Sequence, residues 1–133
     1  YDMLGGMDAT AFPSYYEPWG YTPLESLAFG VPTVTTSLSG FGQWVLSDCK
    51  NGFENSGVEV IGRNDSNYHE VVDRLAGALL QLAEASDDYR AAASKAAHAT
   101  ASKAEWDYFV TYYIEAYRQA LKAVDNRREH IKE

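Results

Sequence analysis

Phe12-Pro13-Ser14-Tyr15-Tyr16-Glu17-Pro18-Trp19-Gly20-Tyr21-Thr22-Pro23-Leu24-Glu25 is the stretch on which the fold turns. Just upstream, Ala9-Thr10-Ala11-Phe12 reads as a short buried strand that stops at Pro13. Just downstream lies a helix signal. Thr22 suits the N-cap and Pro23 the first helical position, and Glu25, three residues after Thr22, completes a capping box. Leu24, Leu27, Ala28 and Phe29 supply apolar positions, and Gly30 fits the C-terminal cap. Val31-Pro32-Thr33-Val34-Thr35-Thr36 is β-branched and predicts a second strand, with Pro32 at its start where a ladder donor is dispensable. Strand, helix, strand implies parallel pairing through a right-handed crossover. The fold class is therefore α/β.

Working outward, Val58-Glu59-Val60-Ile61 predicts a third strand, and residues 46–66 otherwise read as a polar loop. Ser66 or Asn67 caps a long helix whose Val71, Val72, Leu75, Ala76, Leu79, Leu82 and Ala83 share one face. Ser86 or Asp87 opens an Ala-rich helix to about Ser102. A last helix runs from about Lys103 to Val124, with Trp106, Phe109, Val110, Tyr113, Ile114, Tyr117, Ala120 and Leu121 on its apolar side. Residues 125–133 read as a charged tail. Three short strands are few for a doubly wound sheet. The expectation is the C-terminal part of a Rossmann-like domain over residues 1–124, a short parallel sheet followed by helices.

Composition narrows the function. The chain has 133 residues, 46% of them hydrophobic, which is an ordinary globular balance. Nineteen acidic against 11 basic residues give a net charge of −8, the wrong sign for nucleic-acid binding. No apolar stretch approaches the ~20 residues of a membrane span, and no secretion signal is visible, so a cytoplasmic location is expected. Cys49 has no partner cysteine, and His69, His98 and His130 have no ligand spacing, so neither a disulfide nor a metal is expected. The chain opens at Tyr1 without an initiator Met and reads as a segment of something longer.

The chemistry sits in the quoted loop. Ligands of open α/β sheets bind beyond the carboxyl ends of the strands. This loop leaves such an end and enters a helix N-terminus, where free amides and the macrodipole favour a phosphate. Gly20, lacking Cβ, lets a ligand approach the backbone. Two carboxylates, Glu17 and Glu25, flank the turn. A carboxylate beside a phosphate is useful where it addresses hydroxyls or developing positive charge, and sugar hydroxyls fit. The plainer readings stand beside this one: Glu25 as the capping-box residue, Trp19 and Tyr21 as core aromatics, Tyr15 and Tyr16 as packing.

The Glu17–Glu25 spacing resembles the paired glutamates of retaining glycosyltransferases built from two Rossmann domains, the GT-B type. Tyr15-Tyr16-Glu17-Pro18-Trp19-Gly20-Tyr21-Thr22-Pro23, then Gly30-Val31-Pro32-Thr33-Val34-Thr35-Thr36 and Leu38-Ser39-Gly40-Phe41-Gly42, resembles glycogen synthases of the animal and fungal class. The bacterial ADP-glucose class carries a Cys in place of Trp19. The resemblance is dense over residues 12–42 and loose through the terminal helix. It implies that Glu17 lies beside the donor sugar as the catalytic carboxylate. Trp19 and Gly20 would meet the sugar through their backbone, Tyr21 and Thr22 would offer amides to the distal phosphate, and Glu25 would bind ribose hydroxyls. Tyr1 would stack on the base. The implied substrates are a nucleotide sugar, UDP-glucose or ADP-glucose, and an α-1,4-glucan acceptor, with no cofactor or metal. The leaving phosphate would itself help deprotonate the acceptor in a front-face displacement.

Two departures matter. The family's phosphate-binding Arg and Lys, and its acceptor-facing N-terminal domain, match nothing in this sequence, so the segment alone is expected to be inactive. The Arg cluster with which eukaryotic members sense glucose-6-phosphate is reduced to Arg90 and Lys95, which points to a bacterial relative without that regulation. The alternatives are another retaining GT-B transferase with a different donor and acceptor, and a non-catalytic nucleotide- or carbohydrate-binding module.

Overall fold

Three parallel strands in the order β1-β2-β3 organise the chain: β1 is Thr10–Phe12, β2 Thr33–Thr36 and β3 Val58–Ile61. The structure, a computed structural model, describes residues 2–130, without the side chains at 125, 126 and 128–130. Thr10 aligns with Thr33 across the first pair, and Thr33 with Val58 across the second. The strand–helix–strand reading therefore holds, and the architecture is that of part of a Rossmann-like α/β domain. β2 is central and all four of its residues are buried. Its threonines are tolerated there because each hydroxyl is bonded. Thr10 Oγ1 donates to Thr33 Oγ1 (2.8 Å), Thr35 Oγ1 to Phe12 O (3.4 Å) and Thr36 Oγ1 to Ser14 O (2.6 Å).

Helix α1 covers Tyr21–Ala28 and joins β1 to β2. It begins two residues earlier than the capping box requires. The N-cap is Gly20 with φ +119°, and Thr22 lies inside the first turn. Gly20 takes the cap because Phe41 packs against it: a Cβ there would lie 3.1 Å from Phe41 Cβ. The other end follows expectation, with Gly30 at φ +73° just past the C-cap Phe29.

Two helices not expected from the sequence lie between β2 and β3: α2 (Gly40–Asp48), whose end enters the 46–66 stretch read as a loop, and α3 (Phe53–Ser56) inside it. Gly40 and Gly42 are poor helix formers, which hid α2. Ser39 caps it, its Oγ accepting from Gly42 N at 3.0 Å. Cys49 is the α2 C-cap.

Val34, Phe53, Ile61, Val71, Ala78, Leu82 and Ala93 form a core between the sheet and helices α4 (Tyr68–Ala83) and α5 (Asp87–Lys103). On α4 only the ridge Val71, Leu75, Ala78, Leu82 turns inward. Val72, Ala76, Leu79 and Ala83, expected on the same face, are exposed. The ridge is narrow because α4 packs on an edge strand, β3. Asn67 occupies its N-cap, but its side chain bonds Asn64 N, Gly62 O and the Glu70 carboxylate and no helix amide. Ser86 does cap α5, its Oγ accepting from Tyr89 N at 3.3 Å. The alanines of α5 serve close approach: a Cβ on Gly57 would stand 2.4 Å from Ala97 Cα.

The chain divides into two compact units, Tyr1–Ser102 and Lys103–Glu133. The second is dominated by α6, Trp106–His130, which starts later than expected and runs on through residues read as tail. Of the aromatics expected on its apolar side, Trp106, Tyr113 and Tyr117 are exposed and Phe109 is half-buried, and rings pair along the helix: Trp106 with Tyr113 (5.4 Å) and Tyr108 with Tyr112 (5.6 Å). Among the described residues no helix is long and apolar enough to cross a membrane.

Candidate functional site

All three strands point their carboxyl ends at one edge, where the loop 13–20 lies. The edge is stitched by backbone bonds: Ser37 N donates to Ile61 O (2.9 Å) and Glu17 N to Leu38 O (3.2 Å). Glu17 also forms an isolated parallel bridge with Ser39. The loop is thus fixed on its inner side while Tyr15, Tyr16 and Tyr21 stay exposed.

Two helix N-termini meet this loop, and their amides fare differently. Those of α2 are used structurally. Gly40 N donates to Glu17 O (3.0 Å), Phe41 N to Trp19 O (2.6 Å), Gly42 N to Ser39 Oγ (3.0 Å) and Gln43 N to Ser39 O (3.0 Å). α2 therefore holds the loop and has no first-turn amide left for a ligand. α1 is the other case: its N-cap Gly20 has no side chain to bond the first turn, and the turn itself contains no acidic residue. Its positive end is available to an anion.

The Glu17 carboxylate stands at that end. Its Oε2 lies 3.6 Å from where a Cβ on Gly20 would be, so Gly20 is the residue the carboxylate reaches over. Ser14 Oγ donates to the same Oε2 at 3.1 Å. Glu17 is half-buried. The Trp19 ring is anchored by Phe41 (6.2 Å, edge-on) and Trp44 (6.1 Å), of which Phe41 is fully buried. That fits both readings of Trp19, an anchored side chain and a backbone turned elsewhere. Tyr21 and Thr22 are exposed at the start of α1, and Glu25, one turn on, is half-buried. Glu17, Trp19, Gly20, Tyr21 and Thr22 are therefore brought together. Tyr1, the base-stacking expectation, lies outside the described residues.

Sequence reasoning missed three contributors. Gly40 and Gly42 let α2 close on the loop and on β2: a Cβ at either would fall 2.2 Å from a backbone oxygen, Pro18 O or Thr36 O. Arg63, two residues beyond β3, is 8% exposed and donates from Nη1 to Pro13 O at 2.7 Å. Its guanidinium carbon sits 3.3 Å from the centroid of the Tyr15 ring. The only signal was a cation just past a strand's carboxyl end. Among the described residues no group of three His, Cys, Asp or Glu is placed to hold a metal.

The family model described as glycogen synthase matches residues 1–132. Among curated relatives, a glycogen [starch] synthase of Caenorhabditis elegans is 33% identical over 121 residues, 91% of this chain and 18% of the relative. That of Neurospora crassa is 30% identical over 121 residues, 91% of this chain and 17% of the relative. The liver glycogen [starch] synthase of Mus musculus is 29% identical over 130 residues, 98% of this chain and 18% of the relative. The chain thus spans less than a fifth of the length of the relatives it matches.

Proposed function

This chain belongs to the glycogen synthase family, and we propose that it is the donor-binding segment of a retaining glucosyltransferase extending an α-1,4-glucan. The observation that carries the reading is the placement of the Glu17 carboxylate beside Gly20 at a helix N-terminus without a side-chain cap bond. An α1 N-terminus with no side-chain cap bond suits a diphosphate, and a carboxylate beside it suits the hydroxyls and oxocarbenium-like charge of the sugar attached to it.

In this reading Glu17 orients the donor glucose and steadies its transition state. Trp19 and Gly20 line the sugar with backbone. Tyr21 and Thr22 give amides to the distal phosphate, and Glu25 takes the ribose. UDP-glucose is the proposed donor, with no metal or cofactor. Residues 1–124 form part of the donor domain. The cations that neutralise the diphosphate and the acceptor-facing domain belong to the rest of the polypeptide, so this segment alone binds but does not turn over. The leaving phosphate helps deprotonate the acceptor.

The test is Glu17→Ala in the full-length enzyme. We expect kcat to fall by more than ~10²-fold in a folded protein. Near-normal turnover removes Glu17 from the site. Titrating UDP, ADP and UDP-glucose separately then identifies the base. Tight binding with no turnover of any glucosyl donor by the full-length chain would favour a recognition module.

A further inference from the structure

We infer that Arg63 is a positioning residue for Glu17, acting through Ser14. The inference rests on the reading of Glu17 as the donor-site carboxylate. Arg63 is buried, yet among the described residues it forms no ion pair. Its Nε is sealed from solvent and has no hydrogen-bond partner. An apolar side chain would fill the same space without burying an unpaired charge and an orphaned donor. What the guanidinium does make is specific. Nη1 donates to Pro13 O at 2.7 Å, and the guanidinium carbon sits over the Tyr15 ring. Its backbone N–H is itself held by Ser37 Oγ at 2.9 Å.

Those two contacts grip the residues on either side of Ser14. Thr36 Oγ1 fixes the third point by donating to Ser14 O at 2.6 Å. With the backbone held at Pro13 O and Ser14 O and the Tyr15 ring pinned beside them, Ser14 has little freedom left, and its Oγ–H is aimed at Glu17 Oε2, 3.1 Å away. The backbone of Glu17 is fixed separately by Leu38 and Gly40, so what Arg63 adds is the direction of the carboxylate. Only a planar fork does both tasks at once. A lysine could reach one acceptor but has no planar group to set over Tyr15.

The full-length enzyme carrying Arg63→Lys, Ser14→Ala and both together tests this, with UDP-glucose as donor. Each single variant is expected to lower kcat about fivefold or more, with donor KM held within about twofold, because members of one network couple. The double variant is expected to be no worse than the poorer single one. Tyr15→Leu, which strips the ring and leaves the guanidinium, should reproduce part of the loss. If Arg63→Lys does not fold, Ser14→Ala and Tyr15→Leu run the same cycle. Losses that multiply, or a loss confined to KM, overturn the relay. Glu17→Ala separates the two readings: if it retains turnover the donor-site reading fails, whereas an inactive Glu17→Ala beside a normal Arg63→Lys overturns the relay alone.

Discussion

Gly40→Ala is the substitution that most directly probes how α2 holds the site. Gly40 does not have a positive φ, so alanine meets no backbone strain there. The obstacle is contact. The new Cβ would lie 2.2 Å from Pro18 O and 3.1 Å from Pro18 C and Trp19 Cα. All three atoms are backbone and none can rotate away. Restoring van der Waals separation moves α2 or the loop by about 1 Å. That stretches Gly40 N to Glu17 O, now 3.0 Å, and Phe41 N to Trp19 O, now 2.6 Å. Two bonds at about 1 kcal/mol each, with overpacking of ~1–3 kcal/mol and a small offset from the stiffer unfolded chain, give a loss of roughly 2–4 kcal/mol. The melting temperature should fall by several degrees. A displacement of ~1 Å in a reacting group costs on the order of 10²-fold in rate, so kcat should fall too. The assay is thermal unfolding and glucosyl transfer by the full-length enzyme, run beside Gly77→Ala. Gly77 lies in α4 with nothing within 4 Å of a new Cβ, and alanine there should stabilise by about 0.5–1 kcal/mol. A Gly40→Ala enzyme as stable and as active as its parent would refute the clamp.

Thr22→Ala should cost less than about 0.5 kcal/mol in unfolding experiments, against the ~1 kcal/mol of a true N-cap, because Gly20 and not Thr22 caps α1. Gly57→Ala should be severe, roughly 2–5 kcal/mol, since φ is +73° and the new Cβ would lie 2.4–2.6 Å from Ala97 on α5. Burial, and then the nearby Glu54 carboxylate, raise the Tyr89 phenol above its ordinary 10.0. The neutral phenol therefore contributes stability that is complete below the unfolded value and is lost as pH rises through the folded one. Tyr89→Phe should flatten the alkaline limb of a stability–pH curve while leaving its acid limb alone.

What was legible in the sequence followed local rules. The β-branched run around Val34 and the Gly30 stop needed only propensity and turn chemistry, and they gave the parallel sheet. What was not legible was set by contacts far along the chain. The start of α1 shifted to Gly20 because Phe41, 21 residues on, packs there. α2 gave no helix signal because it opens on Gly40 and Gly42, the residues its approach to Pro18 and Thr36 demands. Arg63 gave no pattern at all, because its partners are Pro13 and Tyr15, about 50 residues away. These failures share a place. Gly20, Gly40 and Arg63 each break a local preference, for a capped helix, for a good helix former or for an exposed cation, and each break sets the shape of the loop that carries Glu17. Local preference is given up where a ligand-facing backbone must be held in one conformation. The residues that defeat a propensity reading here therefore mark the site more sharply than the residues that satisfy it.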